Sequence, residues 1–180
     1  MPKDARAVAN FILNEARKDS KSLTPMQMVK LVYLAHGWFM AWHDDALIDE
    51  DVQAWQYGPV IRSVYNAFKQ YGREPIERPT YGDYDLVIDI GLVNEDDELI
   101  NPKPVSADFS DDEQTTIRAV LGGYGDLNGL QLSALTHREG TPWHDVYRAG
   151  ERDQVIHTEV IRKHFKQLDQ RNRKLLERPA

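Results

Sequence analysis

A chain of 180 residues, 41% of them hydrophobic, is long enough for one domain that buries about 70% of its extended surface. With no cysteine it has no disulfide, thiolate metal site or thiol nucleophile, which fits a reducing cytoplasm. The net charge of −7 is uneven: residues 151–180 hold eight basic and five acidic residues, residues 1–150 carry net −10, and so acidic a body excludes a general phosphate-backbone binder and suits a basic protein partner.

Met1 to Asp19 is charged throughout, which predicts no signal peptide, and no apolar run is long enough for a membrane span. Asp4 to Asp19 reads as an amphipathic helix with Ala5, Val8, Ala9, Ile12 and Ala16 on one face. The short Ser20-Lys21-Ser22 link then packs it against the next helix. Thr24 to Trp42 is the spine of the chain. Thr24 and Gln27 form a capping box, Pro25 suits the first helical position, and apolar residues run almost all the way round, so this helix, about 28 Å long, belongs inside the fold. Its one lean stripe, Gln27, Lys30, Gly37 and Ala41, is either a narrow solvent face or a groove where another helix comes close. The acidic connection after Trp42 is read as an ordered loop anchored by Leu47 and Ile48.

Val52 to Tyr57 alternates weakly and breaks at Gly58-Pro59, after which Val60, Ile61, Val64, Tyr65 and Phe68 predict a helix opened by Pro59 and closed at Tyr71-Gly72. A small β-hairpin is expected from Leu86 to Ile100. Ser110 and Glu113 form a second capping box for a helix that should stop at Gly122-Gly123. A short helix from Leu127 to His137 carries Leu130, Ala134 and Leu135, Thr141-Pro142-Trp143 opens another turn, and Thr158 to Glu177 is a last helix docked by its first half. The fold class predicted is mainly α (α+β): a compact helical domain around a buried central helix with a small β-hairpin.

Chemistry is hard to place on this pattern. His36 and His43, like His157 and His164, are seven residues apart, about 10.5 Å along a helix, too far for one metal. Adjacent pairs such as His144-Asp145 point about 100° apart on a helix and orient nothing. Ser133 has no nucleophile elbow around it, and Gly122-Gly123-Tyr124-Gly125 lacks the lysine and the preceding strand of a phosphate loop. No catalytic, cofactor-binding or metal residue is therefore assigned. The basic tail RKHFKQLDQRNRKLLER reads as a solvated helix end and not a DNA contact. Aromatics are concentrated in one third of the chain, and Tyr57, Tyr65 and Tyr71, at helix ends or stripe edges, are the candidate partner-binding residues.

Four blocks carry a family resemblance: KLVYLAHGWFMAW, then AWQYGPV from Ala54, VYNAFKQYG from Val64, and LSALTH from Leu132 followed by Thr141-Pro142-Trp143. In wording and order they resemble the Panacea domain, also called the SocA-like or phage-associated GepA-like domain. The resemblance implies residues 1–150 as that antitoxin domain with an N-terminal helix, and 151–180 as a C-terminal helical extension. It also implies a cytoplasmic antitoxin that neutralises a cognate protein toxin by direct contact. A family member that delivers its toxin to a cytosolic protease makes a proteolytic adaptor the alternative. A small hydrolase using His36 or His137 is the reading from another class. The family supplies no catalytic residues. Its motif residues Trp38, Trp55, Gly58, Pro59, Phe68, Thr136, His137 and Trp143 are expected to be structural.

Overall fold

The computed structural model describes residues 1–84 and 102–177. Helix α1 (Ala5–Lys18), capped by the Asp4 side chain, turns at Asp19 and packs against helix α2 (Pro25–His43). The capping box on α2 is closed in both directions, and every residue from Met28 to Met40 is buried. Around it lie α1, α3 (Arg62–Phe68), α4 (Asp111–Tyr124), α5 (Gly129–Thr136) and α7 (Thr158–Leu176), with the short α6 (Pro142–Val146) bridging α5 and α7. The spine predicted from the sequence is thus the axis of the molecule, and the described fold is mainly helical with a small antiparallel sheet. Burial stops at the outer end of α2, where Trp42 is exposed and its indole N–H donates to Asp169 at 3.1 Å.

The lean stripe is a groove and not a solvent face. The ring of Phe165 on α7 lies against Gly37 so closely that any Cβ there would overlap it, which explains a glycine that costs about 1 kcal/mol in mid-helix. Lys30, on the same stripe, is only 1% exposed. The connection after α2 is ordered as expected, with Leu47 and Ile48 buried and the Lys3 N–H donating to the Leu47 carbonyl at 2.8 Å. Asn10 on α1 is a polar staple with no local sequence signature. Its amide donates to the Thr80 and Val105 carbonyls, both at 2.8 Å, and accepts from the Thr80 N–H at 2.9 Å.

Three expectations need correction. Pro59 does not open a helix: strands β1 (Val52–Trp55) and β2 (Gly58–Ile61) form a hairpin, with Ala54 opposite Pro59, and α3 starts only at Arg62. The strand order is β2-β1-β3, where β3 is Val155–Ile156, so β2 is an edge strand and tolerates a residue without an N–H. The hairpin expected from Leu86 to Ile100 falls on 85–101, outside the described residues. Helix α4 runs through Gly122-Gly123 to Tyr124, and on α5 the buried side is Leu132, Ser133 and Thr136, while Leu130 is 72% exposed. Leu135 is partly buried against the core, and beside Leu132 the inward face carries two hydroxyl groups, those of Ser133 and Thr136.

Candidate functional site

Those hydroxyls meet the tip of the β1–β2 hairpin, the two-residue turn Gln56-Tyr57. The main-chain carbonyls around the tip are held by side chains from three other elements. The Trp143 indole N–H donates to the Trp55 carbonyl at 2.7 Å, and the Ser133 hydroxyl donates to the Tyr57 carbonyl at 3.0 Å. His137 Nε2 lies 3.1 Å from the Gln56 carbonyl oxygen, and the Lys30 ammonium donates to the Pro59 carbonyl at 2.9 Å. The clamp is assembled locally by caps. Asn128 and Gln131 close a capping box that starts α5, and the Thr141 hydroxyl donates to the Thr136 carbonyl at 2.8 Å while capping α6, which brings Trp143 to the turn. Trp143 is in turn sandwiched between His137 and Tyr147, with ring centroids 3.8 and 4.6 Å away.

Gly58 is required at this junction. Its φ of +104° disfavours other residues, and a Cβ would come within 2.7 Å of the Thr136 hydroxyl and 2.8 Å of the Lys30 ammonium. The motif residues Gly58, Pro59, Thr136, His137 and Trp143 therefore meet at one structure, the clamped turn. Trp55 leads into it, while Trp38 and Phe68 are buried away from it in the core, with the Trp38 indole N–H donating to the Tyr124 hydroxyl at 3.2 Å.

What the clamp presents is an aromatic surface. Tyr57, on the tip, is 61% exposed. Beside it a groove of about 400 Å³ is lined by Met26, Val29, Lys30, Trp55 and Tyr65, with the Trp55 and Tyr65 rings 4.9 Å apart and edge-on. The structure thus brings Tyr57 and Tyr65 together and leaves Tyr71 apart, in the 3₁₀ turn Lys69–Tyr71, half-buried against the core. Sequence reasoning missed Lys30 and Ser133 as parts of this site. A charged residue inside an otherwise apolar helix was the one available signal for Lys30.

Burial acts on the two bases inside α2. It lowers the pKa of Lys30 from 10.5 to about 7, and, with help from the positive charge of Arg162, that of His36 from 6.5 to about 4. Neutral His36 accepts the Ile48 N–H at 3.4 Å, as a core histidine does. His137 turns Nδ1 to the Ser133 carbonyl oxygen at 2.5 Å and Nε2 to Gln56, so both ring nitrogens face main-chain oxygens. The Ser133 hydroxyl, 3.3 Å from Nδ1, spends its proton on the Tyr57 carbonyl. This is a positioning arrangement, not an activated nucleophile with an oriented base. Among the described residues, no three His, Asp or Glu side chains gather as a metal site, and no helix is long and apolar enough to cross a membrane.

A buried helical spine, a turn gripped by side chains distant in sequence, and an exposed aromatic tip describe a small helical scaffold that presents one fixed turn. Residues 28–144, well over half the chain, match the family described as Antitoxin SocA-like, Panacea domain, and the chain belongs to that family. Among curated proteins it is similar to Antitoxin SocA of Caulobacter vibrioides (strain NA1000 / CB15N), with 30% identity over 140 residues, 78% of this chain and 68% of the relative. No solved structure matches it. The matched residues enclose every member of the clamp, together with Tyr57 and Tyr65.

Proposed function

We propose that this chain is an antitoxin that neutralises a cognate protein toxin by direct contact in the cytoplasm, without making or breaking a bond, and that the turn Gln56-Tyr57 with its neighbouring groove is the contact surface. Antitoxin family membership supports the role. The observation that carries the choice of surface is the clamp: three backbone carbonyls around one exposed aromatic tip each accept a side-chain donor, from Trp143, Ser133 and Lys30, and His137 packs against the fourth. A tip fixed in advance loses little conformational entropy on binding, and exposed tyrosines are common anchors of protein interfaces. The test is co-expression with the product of the adjacent gene. That product should arrest growth alone and cease to do so with this chain; a product harmless alone, or equally toxic with it, overturns the reading.

A second reading, the proteolytic adaptor, draws on a separate apolar surface. Leu175 and Leu176 at the end of α7 are exposed, as an adaptor that touches a protease and a toxin at different places requires. Toxin half-life separates the two modes, because sequestration leaves it unshortened.

A further inference from the structure

Lys30 is a poor choice for the structural task it performs. Its ammonium has three donors, and the Pro59 carbonyl is the acceptor it has found. Holding one carbonyl needs only a neutral donor, whereas a buried cation without a counter-ion is costly. Burial is the sole cause of its lowered pKa, and no carboxylate pairs with it among the described residues. Yet Lys30 lines the groove, and Lys69, whose ammonium donates to Asn66 at 3.1 Å, lines it too. Two lysines therefore line one apolar groove in a body of net −10 over residues 1–150.

Resting on the direct-contact reading, we propose that this groove receives an acidic side chain of the protein partner, a glutamate or aspartate flanked by apolar residues, whose carboxylate pairs with the Lys30 ammonium while its neighbours pack on Trp55, Tyr65 and Met26. The charge that is uncompensated in the free chain is then compensated in the complex. A side chain suits the groove better than a chain terminus. A glutamate brings only methylene groups past the aromatic walls, whereas a terminal carboxylate brings its own amide N–H, which those walls leave unpaired. Pairing favours the charged lysine, so binding raises the Lys30 pKa. The other titratable groups around the groove are Tyr57 on the turn and Tyr65 and Lys69 along α3 and its 3₁₀ extension, with His137, just past the end of α5, across the turn.

The test is an NMR titration of the full chain with acetyl-Leu-Glu-Leu-amide, acetyl-Leu-Gln-Leu-amide and acetyl-Leu-Leu as its free acid, following the Trp55 indole N–H and the Lys30 side chain. The glutamate peptide should bind about tenfold more tightly than the glutamine peptide and raise the Lys30 titration midpoint. Lys30→Met should erase that preference while the Trp55 shift persists. If the variant does not fold, the two peptides on the unaltered chain decide the matter alone. Equal affinities, no shift at about 10 mM peptide, or preference for the free acid overturns the proposal. Protection in co-expression with no glutamate preference sinks the carboxylate pocket and leaves the antitoxin reading standing; failed protection sinks the latter whichever peptide binds.

Discussion

The two sides of α2 hold their neighbours by different physics. Toward α7 the buried contact is apolar: the Phe165 ring lies on Gly37 and meets Tyr33 and Trp38 edge-on, at 5.7 and 5.4 Å between centroids, and the exposed end adds a hydrogen bond, from Trp42 to Asp169. Toward the hairpin turn it is polar, with Lys30 reaching one of the three carbonyls that accept a side-chain donor there. Burying a ring yields several kcal/mol but tolerates small slips, whereas each hydrogen bond nets about 1 kcal/mol and demands both distance and angle. Stability is concentrated on the α7 side and geometry on the turn side.

Removing the ring is the largest way to break this comparison. Phe165→Ala should cost about 3–5 kcal/mol by denaturant unfolding, because the flat seat at Gly37 has no side chain to refill the space. Where the variant remains folded, the turn face should keep its binding. The buried lysine comes next. Folded Lys30 loses its proton near pH 7 and the unfolded side chain near 10.5, so between those values the unfolded chain holds more protons and stability rises with pH. From pH 7 to 9.5 the gain should approach about 3 kcal/mol, and Lys30→Met should flatten the profile. An unaltered slope in the variant would place the titration elsewhere.

This division also explains how much the sequence disclosed. The α7 side was legible in part, because capping boxes, apolar periodicity and a mid-helix glycine are local signals, and each maps to a feature seen in the fold. The turn side was not. Its contacts join residues 29, 76, 81 and 88 positions apart and run from side chains to carbonyls, which every residue possesses and none advertises. Pro59 was ambiguous for a physical reason, since a fixed φ and a missing N–H suit both the first turn of a helix and an edge strand. Of the three tyrosines named, Tyr57 and Tyr65 share the groove because one sits on the turn of a hairpin that the helix reading of Pro59 concealed, and the other on the helix after it.

A smaller effect sharpens the comparison from the turn side. Trp143→Phe keeps a ring between His137 and Tyr147 but deletes the donor to the Trp55 carbonyl. The cost should be about 1–2 kcal/mol in unfolding free energy. Neutralisation should weaken at temperatures where the chain is still folded, because the tip is less firmly fixed.

The smallest effect on stability should accompany the clearest effect on function. Tyr57 is 61% exposed, so Tyr57→Ala should change unfolding free energy by less than about 0.5 kcal/mol. Co-expression should nevertheless show protection lost, since an interface anchor is removed while its support stays intact. Leu176→Ala is the matched control, an exposed apolar residue at the far end of α7. Protection that survives loss of Tyr57 and fails with loss of Leu176 would move the contact surface to that end of the molecule, and the clamp would then be a device for folding the hairpin and nothing more.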